Sequence, residues 1–146
     1  MSTDLVDDQF VDTNILVYAY DISAGEKHIK AMQLIRALWE NQNGCLSIQV
    51  LQELFVNITR KITYPIDSST ARQIVADLSQ WRVHAPGPDN LLRAIDIVDT
   101  YHLSFWDAMV VESASSLGCK RLFSEDFSHG VILGDLQITN PFLETS

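Results

Sequence analysis

The chain has 146 residues, 47% of them hydrophobic, with 19 Asp and Glu against 10 Lys and Arg and a formal charge of -9. That length fits one domain, residues 1–146, with a substantial core, and no uninterrupted apolar run approaches the roughly 18 residues a membrane-spanning helix requires. The acidic balance argues against a broad basic face for gripping duplex nucleic acid, but it suits an enzyme that meets a phosphate chain locally through bound cations, or a basic protein partner.

Residues 1–8 are acidic and polar and lack the basic and apolar regions of a secretory signal, so a cytoplasmic chain is expected. Gln9 to Asp12 reads as a short strand stopped by an Asp-Thr-Asn turn, and Ile15 to Tyr20 as a short helix. Glu26 to Asn41 places Ala31, Leu34, Ile35, Leu38 and Trp39 at helical spacing, with Gly44 as its stop. Cys45 to Ile48 is the second strand; Cys45 and Cys119 lack CxxC partners and read as reduced thiols. Val50, Leu51, Leu54, Phe55, Ile58 and Ile62 stripe the next helix, which ends before Pro65. Asp67, Ser68 and Ser69 offer N-caps for a helix to Leu78.

Trp81 to Ala85 is expected to be a strand, and Pro86-Gly87-Pro88 breaks the chain before a helix from Asp89 to Tyr101. Phe105-Trp106-Asp107 leads into a helix that reaches Leu117 and closes at Gly118. Lys120 to Ser124 is a strand, and Val131-Ile132 with Gln137-Ile138-Thr139 supply one or two more. Strands alternating with helices imply a parallel sheet covered on both faces. Ligands of such folds bind beyond the carboxyl ends of the strands. Asp12 and Asp126 each follow a predicted strand and so fall on that edge.

Two further acids join them as candidates. Glu53 lies about 60° around its helix from Val50, at the margin of the apolar stripe. There a carboxylate is costly unless paired or metal-bound, or else it snorkels to the surface. Asp107 opens a helix, where Ser104-Phe105-Trp106-Asp107 also fits a capping box. For Asp12 and Asp126 the bland alternative is an Asx turn at a strand end. Several carboxylates brought to one sheet edge cannot all stay ionised without a cation, and Mg²⁺ or Mn²⁺ are the hard ions such oxygens select. One or two such ions serve displacement at phosphorus. Thr13, Asn14 and Ser124 flank the strand-end aspartates, where they either orient the carboxylates or cap turns.

Phe10-Val11-Asp12-Thr13-Asn14, Gln52-Glu53-Leu54, Ser104-Phe105-Trp106-Asp107-Ala108 and Leu122-Phe123-Ser124-Glu125-Asp126 resemble, in order and spacing, the PIN-domain family and its VapC-type toxin ribonucleases. Gly130-Val131-Ile132 and Ile138-Thr139-Asn140-Pro141-Phe142 match the way such chains finish. The resemblance implies a three-layer α/β/α sandwich with a central, mostly parallel sheet, and an endoribonuclease dependent on Mg²⁺ or Mn²⁺. By position, Asp12, Glu53, Asp107 and Asp126 match the family's acidic residues, Thr13 and Ser124 its hydroxyl positions, and Asn14 its asparagine. Glu125 adjoins Asp126 and is a candidate for a share of the metal site. Toxins of this kind cut RNA, are held inactive by a small antitoxin, and often dimerise.

Other signals carry less. His28, His84, His102 and His129 lack metal-ligand spacing, and no phosphate-binding glycine motif supports a nucleotide cofactor. Trp39, Trp81 and Trp106 read as core or interface residues, and Arg60-Lys61 and Lys120-Arg121 as solvated faces. A receiver-like signalling domain would need the Asp7-Asp8 pair after the first strand, not before it, and a lysine that is missing after the last strand. A catalytically silent PIN fold acting as an interaction module is the remaining rival.

Overall fold

The computed structural model describes residues 7–143, so the signal-sequence reading of residues 1–8 lies almost wholly outside the described residues. Strand β1 (Gln9–Val11) is followed by α1 (Thr13–Tyr20), a 3₁₀ turn at Ile22–Ala24 and α2 (Glu26–Asn41). Strand β2 (Gly44–Ser47) leads into α3 (Ile48–Arg60) and α4 (Ser68–Leu78), and β3 (Arg82–His84) into α5 (Pro88–Tyr101) and α6 (Phe105–Ser116). Strand β4 (Arg121–Phe123) and the hairpin of β5 (Ile132–Leu133) and β6 (Leu136–Thr139) complete the fold.

The sheet order is β3-β2-β1-β4-β6-β5, parallel except for β5 against β6. From β1 the chain steps outward through β2 to β3, then crosses back over both to place β4 on the other side of β1. Right-handed crossovers in opposite directions put α1–α4 on one face and α5–α6 on the other. The packing agrees: α1 lies against α2 and α3, α3 against α4, and α5 against α6. The predicted three-layer sandwich is therefore the observed fold. Phe10, Val11, Leu46 and Leu122 are fully buried in the central strands, as a parallel sheet covered on both faces demands. No helix among the described residues is long and apolar enough to cross a membrane.

Most predicted elements stand, with shifted ends that have local causes. Asp12 accepts a hydrogen bond from the Thr13 backbone, so α1 begins at Thr13 rather than Ile15. Ser47 caps α3 in the same way, and that helix closes at Lys61, leaving Ile62 buried just beyond it. Gly44 does not stop α2. The helix turns off at Gln42, a left-handed residue with φ 55°, and Gly44 sits inside β2 beneath the indole of Trp81. A Cβ there would strike that ring, which itself packs edge-on against Trp39 at 5.4 Å. Leu133-Gly134-Asp135-Leu136 turns the β5–β6 hairpin, and Gly134 at φ 63° supplies the positive dihedral that such two-residue turns favour.

Between α5 and α6 lies a buried carboxylate that sequence reading passed over. Glu112, 4% exposed, accepts hydrogen bonds from Asn90 (2.8 Å), Arg93 (3.0 Å) and Ser116 (2.9 Å). Burial pushes its carboxyl up, but the Asn90, Arg93 and Ser116 contacts outweigh that and hold it below the usual glutamate range.

Candidate active site

The point where the crossovers reverse direction lies between β1 and β4, and the carboxyl ends of strands at such a point are where folds of this kind bind ligands. Asp12 directly follows β1 and Ser124 directly follows β4. The Asp12 backbone N–H extends the β1–β4 ladder to the Phe123 carbonyl at 2.9 Å. Its Oδ1 caps α1 through Thr13 N–H at 2.7 Å, and its Oδ2 accepts from the fully buried Ser124 hydroxyl at 2.7 Å. Asp12 thus caps α1, as the Asx alternative expects, and the cap fixes the carboxylate in place.

Asp12 is 5% exposed. Burial, with smaller contributions from the charges of Asp126 and Asp107, raises its pKa to about 7 against the pull of the Ser124 and Thr13 bonds. Asp107 is half-buried in the first turn of α6. Its backbone N–H donates to the Ser104 hydroxyl at 3.1 Å, the capping contact anticipated from sequence. Burial lifts its carboxyl above the ordinary aspartate value, Ser104 partly offsets this, and the Asp126 charge adds to it. Asp126 is exposed in the loop after β4, where its N–H reaches the Ser124 hydroxyl at 3.1 Å. Asp12, Asp107 and Asp126 therefore form one electrostatic group, drawn from β1, α6 and the β4 loop.

Glu53 joins through a hydroxyl. It lies on the exposed side of α3, where its Oε1 accepts from Thr13 Oγ1 at 3.0 Å and from Gln49 Nε2 at 3.3 Å. Asn14 ties α1 to the β4 loop: its amide reaches the Ser124 hydroxyl at 3.5 Å and its carbonyl oxygen accepts from Glu125 N–H at 3.4 Å. Thr13, Asn14 and Ser124 thus touch the acidic group or the loop that carries it. Glu125 points elsewhere. It accepts from the Tyr18 hydroxyl at 2.5 Å and pairs with Lys27 at 2.9 Å. Burial raises its carboxyl, but those two partners outweigh it and hold it low.

Among the described residues no three His, Cys, Asp or Glu side chains stand as a ready-made metal cage. Glu53 is turned to Thr13 and Gln49. The donor chemistry nonetheless fits a hard divalent ion: the four side chains offer only carboxylate oxygens, and the buried one, Asp12, has other carboxylates as its charged neighbours. Sequence reading missed Gln49, although its i to i+4 spacing from Glu53 was a usable signal. It also missed the Tyr18–Glu125–Lys27 contacts, which join residues about a hundred positions apart and leave no local trace.

Three solved structures share this architecture. VapC20 of Mycobacterium tuberculosis, a sarcin-ricin loop cleaving toxin, is 21% identical over 83% of this chain and 93% of its own, with a TM-score of 0.62. A toxin–antitoxin complex from Klebsiella pneumoniae is 19% identical over 92% and 98%, with a TM-score of 0.68. The DNA-bound VapBC of Salmonella typhimurium is 16% identical over 92% and 98%, with a TM-score of 0.63. Likenesses at this level of identity establish the fold. No curated protein sequence matches the chain significantly. The PIN-domain profile matches residues 10–129, a span that holds all four acids, and on that match the chain belongs to the PIN-domain family.

Proposed function

We propose that this chain is a divalent-metal-dependent endoribonuclease and the toxin of a toxin–antitoxin pair, with Mg²⁺ or Mn²⁺ held by Asp12, Glu53, Asp107 and Asp126. One observation carries the reading: a buried Asp12 carboxylate at the switch point of the sheet, surrounded by the charges of Asp126 and Asp107. Family membership supports nuclease chemistry. The RNA-cleaving VapC20 supports RNA as the substrate, and the Klebsiella and Salmonella complexes support an antitoxin as the partner. The charge of -9 suits a basic antitoxin segment, and exposed Leu92 and Ile95 on α5 suit a second copy of the chain. The same reading places the protein in the cytoplasm, beside its RNA.

When bound, the ion supplies positive charge to the phosphodiester oxygens and acidifies the attacking water. The chain's own contribution is position. Ser124 and the Thr13 N–H fix both oxygens of Asp12, and the Thr13 hydroxyl turns Glu53 inward from α3. Asn14 and Ser124 hold the loop bearing Asp126 against α1.

Purified protein should cut single-stranded RNA with Mg²⁺ or Mn²⁺ and stop on chelation. Asp107→Asn should lower the rate about a hundredfold or more while the circular dichroism spectrum stays unchanged. Cleavage that survives both treatments overturns the assigned site, and failure to cut any RNA favours the silent interaction module.

A further inference from the structure

The sequence suggests a core or interface role for Trp106, yet its side chain is 63% exposed, immediately before Asp107. Phe105 braces one edge of the indole at 5.0 Å with the rings 76° apart, which leaves a face open. Trp106 lines a cleft of about 300 Å³ together with Ile48, Gln49, Gln52, Ala85, Pro86 and Met109. Gln49 joins the cleft to the acidic group: its amide donates to the Trp106 carbonyl at 3.4 Å and to Glu53 at 3.3 Å. The other two tryptophans pack edge-on against each other away from the acids.

We propose that this cleft receives one unpaired RNA base beside the phosphate to be cut, with Trp106 as its stacking platform and Gln49 and Gln52 facing its polar edge. The inference rests on the ribonuclease reading and deepens it to a single-stranded substrate with a preferred base next to the scissile bond. Several features favour a base over a protein segment. The space suits one planar ring rather than a helix, the walls pair an aromatic face with neutral amides, and Gln49 ties the cleft to Glu53. No cation lines the cleft, so stacking and amide contacts must supply affinity that basic proteins draw from phosphates. Bases stack on aromatic side chains without help from charge, and their exposed edges are read by hydrogen bonds.

The test compares wild type, Trp106→Phe and Trp106→Ala on a labelled single-stranded oligoribonucleotide in chelator, where binding is measured without cleavage. Trp106→Ala should weaken binding about tenfold to a hundredfold, and Trp106→Phe should retain most of it. An abasic position at the stacked nucleotide should weaken wild type equally and Trp106→Ala no further. Wild-type tryptophan fluorescence should be quenched on binding, and the quench should vanish in Trp106→Phe. Cleavage-site sequencing in Mg²⁺ should show the base preference flattened in Trp106→Ala. Unchanged binding and unchanged preference in Trp106→Ala overturn the stacking site while leaving the ribonuclease reading intact. A loss of binding that tracks a change in sedimentation overturns it too, because the indole then faces a second copy. Absence of cleavage in wild type fails the ribonuclease reading instead, and the chelator binding series still reports on the cleft.

Discussion

Asp12, a candidate site residue, departs from what stability alone would choose. An unfolded aspartate releases its proton near 3.8, whereas burial holds the proton on Asp12 to about 7. The folded state binds that proton more tightly, so this residue's contribution to stability falls as the pH rises from the lower value through the higher one. Asn at this position keeps the shape without the charge. Asp12→Asn should therefore stabilise the metal-free protein by about 1–3 kcal/mol near pH 8 and by little near pH 4. Denaturant midpoints in chelator at both pH values provide the check, and equal midpoints near pH 8 would contradict it. The same substitution should abolish cleavage.

Glu112 has the opposite sign. Its folded pKa lies below the ordinary glutamate value of 4.5, so its stabilising contacts are complete above that pH and are lost as the pH falls through the folded value. Because Arg93 and Ser116 are exposed and rehydrate, Glu112→Ala should cost about 1–3 kcal/mol at neutral pH, mainly through the cavity and the half-buried Asn90 amide left behind. Thermal unfolding should show that penalty shrinking towards pH 4.

At the scale of elements, helices were legible and the reasons for their ends were not. The stripes of α2 and α3 follow from spacing alone, because one face must be buried. Gly44 misled for a physical reason: a glycine after an apolar helix usually stops it, but this one clears room for Trp81 of another segment. Gly44→Ala should destabilise the protein by about 1–3 kcal/mol, since the indole is held by Trp39 and must move. A substitution that leaves the midpoint unchanged would show that the ring yields freely.

The candidate site divides in the same way. Asp12 and Asp126 could be placed from the strand-then-acid pattern, because topology alone puts strand ends on one edge. Glu53 and Asp107 rested on the family resemblance. Their relation to the other acids depends on Thr13 and on how α6 packs, neither of which a linear pattern encodes. Glu112 escaped notice because its partners Asn90 and Arg93 come from a different helix.

Across the whole molecule, charge and topology constrain the substrate differently. Arg121 lies at the amino end of β4, opposite the acids, Arg82 pairs with Asp8, and Lys27 is taken by Glu125. With these three cations paired or turned away from the acids, RNA affinity in chelator should depend weakly on salt. The slope of log K against log salt should be shallower than about -2, corresponding to no more than about three phosphates neutralised. A steep slope would point to a basic track elsewhere on the surface.

The pairing of β1 with β4 at the centre of the sheet also has a consequence during synthesis. The hydrogen bond from Ser124 to Asp12 spans 112 positions of sequence, and the central strand pair cannot close until the last quarter of the chain has been made. A ribosome that stalls before Arg121 releases a product with neither a completed core nor an assembled acidic group. On the proposed ribonuclease reading, the chain would acquire its activity only late in translation, once β4 has been laid down beside β1.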